Sequence, residues 1–230
     1  MGVFAIADLH LSFGNNKEMD IFNGWENYTV KIKDNWTKIV KEDDTVVISG
    51  DISWGMSLED TIEDFKFINE LPGKKIISRG NHDYWWTTAN KMKKFFEENE
   101  FNTLSILFNN SYFVDGMAIC GTRGWPFPAD SQENLKVLKR ETMRLQRSIE
   151  EGKKLSDNCI VFLHYPPVYK NRECNEFLDI LKQNDIKKCY FGHIHGKDMN
   201  GNVMQGKYKG IDFELISCDY LNFFPARVTW

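Results

Sequence analysis

A layered α/β fold is what this chain predicts, on two observations. Short apolar, β-branched runs alternate with amphipathic stretches along its length. Its 230 residues suffice for one substantial core and contain no repeat, low-complexity tract or linker. The reading is therefore one domain spanning 1–230.

Strands are expected where the apolar, β-branched runs fall: 3–7, 45–49, 75–78, 112–114, 117–120, 159–163, 188–191 and 212–217. Between 112–114 and 117–120, Asp115-Gly116 is a two-residue hairpin turn with Tyr-Phe-Val before it and Met-Ala-Ile-Cys after it. Helices are expected over 24–41, 58–70, 87–99, 132–152 and 173–184. Ser57 and Asp60 have the N-cap and N3 spacing for the second of these. The fourth carries Leu135, Leu138, Leu145 and Ile149 on one face. Lys136, Arg140, Arg144 and Arg147 form a stripe on another, with Glu133, Glu141, Glu150 and Glu151 interspersed, which reads as a solvated face rather than a docking surface.

Composition narrows the function. A net charge of -4 and a pI near 5.8 argue against a general nucleic-acid binder. The five cysteines (120, 159, 174, 189 and 218) are odd in number, widely spread and without a CxxC pair. They read as reduced core residues rather than disulfides or zinc thiolates. The apolar start Val3–Ala7 is cut off by Asp8 and His10, too early for a signal peptide or membrane span. Met1-Gly2 lacks the Ser/Thr at position 6 of a myristoylation site. The expected compartment is the cytoplasm, with no membrane partner.

All five histidines lie in four short motifs, each directly after a strand-like run: Asp8-Leu9-His10, Gly80-Asn81-His82-Asp83, His164-Tyr165-Pro166-Pro167 and Gly192-His193-Ile194-His195. Gly50-Asp51, between the first two, adds a carboxylate in the same context. Histidine is the commonest side-chain metal ligand. Concentrating the whole supply at strand ends, beside Asp and Asn, is what a two-metal hydrolytic site requires. Any one motif alone is weak, since Gly-Asp after a strand is usually a turn; the set in order is specific.

Read in order, Asp-x-His, Gly-Asp, Gly-Asn-His-Asp, a later His and Gly-His-x-His resemble the calcineurin-like metallophosphoesterase family, from Asp8 to His195. The resemblance implies a four-layer αββα sandwich with metals held on loops at the strand ends. It implies two divalent ions bridged by Asp51. Asp8, His10 and His195 complete one ion's protein ligands; Asn81, His164 and His193 complete the other's. Two such ions, two carboxylates and one bridging hydroxide leave a net charge of about +1 to attract phosphate, because the Asn81 amide ligates without adding negative charge. A thiolate-free donor set suits Mn, Fe or Zn without distinguishing them. The resemblance places His82 beside the leaving-group oxygen as general acid or hydrogen-bond donor. Asp83 is a candidate to orient its neighbours.

Protein phosphatases of the superfamily follow Gly-Asp with Val-Asp-Arg-Gly, whereas this chain has Ile52-Ser53-Trp54-Gly55. The Asp that would buttress the catalytic His and the Arg that would hold phosphate are missing, which argues against a phosphoprotein phosphatase. The pattern is closer to the bacterial phosphohydrolase and cyclic-nucleotide-phosphodiesterase-like branch. Trp54, Trp85, Trp86 and Trp125 adjoin motifs or turns. Each can stack on a base or aromatic leaving group, or pack the rim of the site, and packing is the commoner role. Trp85 and Arg123 are the candidate substrate contacts, with a loop salt bridge the competing reading for Arg123. Arg79 is expected to buttress its loop, and 122–156 is the one insertion long enough to shape specificity.

The expected function is a binuclear phosphoesterase that hydrolyses a small phosphomonoester or phosphodiester through a metal-bridging hydroxide. The tryptophans tilt that expectation towards a diester. Two alternatives remain at this point: a non-catalytic module on the same fold, whose relatives lose ligands and the catalytic His, and a nuclease, for which the acidic composition offers no basic surface.

Overall fold

A computed structural model describes residues 1–126, 130–196 and 201–229. Two sheets lie face to face. The first has the order β13-β1-β2-β3-β4, with β1 (Val3–Ile6), β2 (Thr45–Ser49), β3 (Lys74–Ser78) and β4 (Leu104–Ile106) parallel and β13 (Ala226–Arg227) antiparallel at the edge. The second runs β11-β12-β10-β7-β6-β5. Here β6 (Met117–Thr122), β7 (Cys159–Leu163), β10 (Lys188–Phe191) and β12 (Ile211–Leu215) are parallel, and β5 (Tyr112–Val114) and β11 (Gly206–Tyr208) are antiparallel at the edges. A ribbon of β8 (Val168–Tyr169) and β9 (Arg172–Glu173) follows His164 in the chain.

Side-chain alternation builds the layers. Along β1, Val3 and Ala5 face Ile119, Ile160, Phe162 and Tyr190 of the other sheet, while Phe4 and Ile6 face outward to the helices. The outer face of the first sheet is covered by α1 (Tyr28–Ile39), α2 (Ile62–Glu70) and α3 (Ala89–Glu98) through Ile32, Trp36, Phe65, Ile68, Met92 and Phe96. The outer face of the second is covered by α4 (Gln132–Lys153) and α5 (Asn175–Gln183) through Leu138, Leu145, Ile149, Phe177 and Leu181. Three apolar layers thus separate helix, sheet, sheet and helix, the αββα order.

Local chemistry explains the element ends. Ser57 and Asp60 cap reciprocally, the Ser57 N–H donating to Asp60 Oδ2 at 2.9 Å and the Asp60 N–H to Ser57 Oγ at 3.3 Å, ahead of a short 3-10 turn that leads into α2. Asp115 (φ 50°) and Gly116 (φ 81°) both take the left-handed conformation that a tight hairpin turn demands. The five cysteines are buried and unpaired. Two expectations for α4 are corrected. Leu135 is exposed, and the leucines of the helix join the core only from Leu138 onward. Arg144 leaves the solvated stripe to pair with Glu141, a buried carboxylate that the sequence placed on the surface. Residues 127–129 of the 122–156 segment lie outside the described residues. Among the described residues, no helix is long and apolar enough to cross a membrane.

Candidate metal centre

Five loops leave the carboxyl ends of parallel strands and converge: Asp8 and His10 follow β1, Asp51 follows β2, Asn81 to Asp83 follow β3, His164 follows β7, and His193 and His195 follow β10. Parallel strands present all these ends on one side of the sandwich, where open α/β sheets commonly place ligands. Four of the residues hold the left-handed backbone that non-glycine residues rarely adopt: Asp8 (φ 64°), His10 (φ 47°), Asp51 (φ 51°) and His193 (φ 71°). Such strain persists only where its surroundings enforce it. Glycines permit the approach. A Cβ at Gly80 would collide with the Asp51 carboxylate, and one at Gly192 would lie 2.5 Å from Asp8 Oδ2.

Two groups of possible ligand atoms result, Asp8, His10 and His195 in one and Asp51, His164 and His193 in the other, with the atoms of each within 4.8 Å of one another. Asp51 Oδ2 faces both, 3.9 Å from His10 Nε2 and 3.4 Å from His164 Nε2. The Asn81 amide oxygen lies 2.7 Å from His164 Nε2. His195 Nε2 is 3.5 Å from Asp8 Oδ1 and 3.3 Å from His10 Nε2.

The imidazoles are held from behind. His164 Nδ1 donates to the Ser49 carbonyl at 3.1 Å, and His195 Nδ1 donates to Asp219 Oδ1 at 3.0 Å. Each leaves Nε2 directed at the carboxylates. The His193 N–H donates to both oxygens of Asp8, at 2.9 and 3.1 Å, and the His82 N–H donates to Asp51 Oδ1 at 2.8 Å. Lone pairs from two carboxylates, four imidazoles and one amide therefore converge without a Lys or Arg among them, a donor set that fits divalent cations.

Titration reports the same crowding. Burial pushes His10 and His193 down to about 4. Burial opposes charge on His195 and His164 too, but the Asp8 and Asp219 carboxylates lift His195 to about 10, and Asp51 and Asp8 lift His164 to about 9. Burial would raise Asp51, yet His164 and His10 hold it far below the usual carboxylate range. Protons on His164 and His195 thus occupy the place of positive charge that metal binding would fill, and metal would displace them.

The remaining predicted residues separate. His82, on the loop carrying Asn81, lies against the Trp54 ring with centroids 4.4 Å apart, and Trp54 stacks on His10 at 4.9 Å. The Tyr84 hydroxyl is 3.4 Å from His82 Nδ1. The Asp83 carboxylate is turned to the backbone rather than to the His82 ring. It is buried, accepts from the backbone N–H groups of Asp51, Ile52 and Gly80 at 2.9, 2.8 and 2.6 Å, and so ties two of the site's loops together. Trp85 is corrected as a substrate contact: it is 3% exposed and packs edge-on against Phe65 in the helix-side core, which leaves no face for a ligand. Arg123 turns towards Glu141, 4.0 Å away, and lies over Trp125 at 4.8 Å, the loop ion-pair arrangement.

Sequence reading missed Asp219, Tyr84, and Trp54's position against His10 and His82. Asp219 had a signal: it is an acidic residue just after the strand run 212–217, the same context as Asp8 and Asp51.

The structure thus joins a two-sheet sandwich to a cluster of possible divalent-cation ligands at its strand ends. Residues 1–197 match the model of the calcineurin-like phosphoesterase family, and the chain belongs to that family. Among solved structures, the fold resembles the phosphopantetheinyl hydrolase of Mycobacterium tuberculosis, with a TM-score of 0.54 and 15% identity over 99% of this chain and 95% of that one. It also resembles protein AQ665 of Aquifex aeolicus, with a TM-score of 0.52 and 15% identity over 98% and 95%. In sequence, 80 residues are 38% identical to the gene 66 protein of Mycobacterium phage L5, covering 34% of this chain and 37% of that protein. That match spans little more than a third of the relative's length. The family is metal-dependent and acts on phosphorylated substrates.

Proposed function

We propose that the chain is a binuclear phosphoesterase acting on a small phosphomonoester or phosphodiester, with two ions of Mn, Fe or Zn. Asp8, His10 and His195 would hold one ion, Asn81, His164 and His193 the other, and Asp51 both. The observation that carries this reading is the position of Asp51, whose Oδ2 faces an imidazole of each ligand group. When bound, such ions lower the pKa of water and stabilise charge on phosphoryl oxygens.

The chain's own groups supply the rest. The Asp8 carboxylate is set by the His193 N–H, and the Asp51 carboxylate by the His82 N–H, so carboxylates and loops align together. His82 is the histidine outside both ligand groups. It donates its proton to the leaving-group oxygen, and Tyr84 and Trp54 fix its ring. Burial draws His82 below the ordinary imidazole value, which makes its protonated form a stronger acid towards that oxygen. Trp54, Trp25 and Tyr165 wall the cluster with aromatic surface, limiting water at the reacting centre.

Elemental analysis with activity assays tests the proposal. Wild-type protein should retain two transition-metal ions and, with added Mn, hydrolyse para-nitrophenyl phosphate or its bis ester. Asp51→Asn should lose both metal and turnover. Full metal content in Asp51→Asn would remove the bridging role. Absence of hydrolysis of either ester with Mn, Fe and Zn would overturn the activity.

A further inference from the structure

We infer that the groove lined by Lys17, Met19, Ile21, Phe22 and Trp54 receives the leaving-group arm of the substrate, and that this arm is extended and apolar. The inference rests on the proposed role of His82 at the leaving-group oxygen. The groove has a volume of about 540 Å³, within the range of small-ligand sites. Its walls combine Met19, Ile21, Phe22 and Trp54 with Asn16, Lys17 and Glu18 and are open to solvent: Ile21 is 83% exposed and Phe22 52%, beside a buried Met19. Adjacent exposed side chains of this size carry a solvation cost that a bound apolar group relieves.

Trp54 is the link to chemistry. It forms one wall of the groove, and the same indole packs against His82 with ring centroids 4.4 Å apart and stacks on His10 at 4.9 Å. Trp54 is thus the residue that the groove shares with the surroundings of His82, and the inferred path of the departing group runs over it. Lys17 and Glu18 line the groove with opposite charges, and the Lys17 ammonium stands 5.2 Å from the centre of the Trp54 ring. The lining thus has no net charge to select an ionic arm, and its selectivity is for apolar length. The loop from Phe13 to Gly24, between His10 and α1, supplies every lining residue except Trp54, so this segment sets leaving-group preference separately from the metal ligands.

The test is calorimetric binding of ethylphosphonate and octylphosphonate to the Mn-supplemented protein. The C–P bond resists hydrolysis, so affinity is read without turnover. A fully buried methylene is worth about fourfold in affinity. Six additional methylenes in a half-open groove should tighten binding at least tenfold. Ile21→Asp and Phe22→Ser alter solvent-exposed side chains outside the metal site. Each should abolish most of that increment while leaving ethylphosphonate affinity unchanged. Equal wild-type affinity for the two phosphonates would overturn the inference, as would an increment that survives both substitutions. Phosphate release from ethyl and octyl phosphate is measured in parallel. No release from either, with the binding increment retained, would count against the phosphoesterase reading and in favour of the groove.

Discussion

Asp219 accepts a hydrogen bond from His195 Nδ1 at 3.0 Å through one oxygen and from the Gly196 N–H at 2.8 Å through the other. One carboxylate thereby fixes both the tautomer of His195 and the turn that follows it. It lies beyond residue 197, where the family match ends, so the site draws on a part of the chain the shared motifs do not reach. Groups that orient a ligating imidazole commonly affect metal affinity by about 10–100-fold. Asp219→Ala should therefore weaken metal binding by that factor in chelator competition, with the fold retained by circular dichroism. Unchanged affinity would mean that His195 is not a ligand or that its ring is held by packing alone.

His82 predicts a different phenotype from the ligand set. His82→Ala should keep both ions and slow hydrolysis by roughly 10²–10⁴-fold, the usual contribution of a positioned proton donor. The loss should be greatest for alkyl esters, whose oxygen needs a proton, and smallest for para-nitrophenyl esters, whose leaving group does not. Tyr84→Phe, which removes the hydroxyl from His82 Nδ1, should show the same dependence on leaving group with a smaller amplitude. A uniform loss across leaving groups would assign His82 to substrate binding instead.

Asp83 carries a structural prediction. Four backbone N–H groups, those of Asp51, Ile52, Ser53 and Gly80, donate to its buried carboxylate. Burial and the neighbouring Asp51 push it up to about 7, while the Gly80 and Ile52 N–H groups act in the opposite direction. Removing the acceptor strands donors that no water reaches, at about 1–3 kcal/mol each. Asp83→Ala should lower the unfolding free energy of metal-free protein by about 3 kcal/mol or more in urea denaturation. A change below about 1 kcal/mol would show that the loops find other acceptors or open to solvent.

The candidate metal site was legible as a cluster because its residues sit in short contiguous motifs, each announced by the apolar strand before it. Asp8, His10, Asp51, Asn81, His164, His193 and His195 all fall at strand ends that parallel topology gathers onto one side. What was not legible depends on packing between segments distant in sequence. Trp54 and Trp85 are equivalent as residue types, yet one covers His82 and the other is taken into the core by Phe65. Glu141 reads as a surface charge on a helix until Thr122 and Arg144 meet it beneath that helix. Strands β4, β8, β9, β11 and β13 contain only two or three residues each, too few for a period-2 pattern to register.

Lys75 offers a prediction remote from the site. It lies on β3 with 0% exposure, its ammonium donating to the Leu71 carbonyl and to Thr103 Oγ1, and no carboxylate pairs with it among the described residues. Burial lowers its pKa to about 8, against an ordinary value of 10.5. Below pH 8 both folded and unfolded chains carry the proton, and the folded state bears the full cost of a buried charge. Between about pH 8 and 10.5 the folded state sheds the proton while the unfolded state keeps it. The unfolded chain then binds more protons, and stability from this group rises with pH. Wild type should therefore gain stability relative to Lys75→Met between pH 8 and pH 10, measured as the difference in urea midpoints at matched ionic strength. A difference that stays flat across that interval would show that the ammonium remains charged in the core, held by the two oxygens that face it.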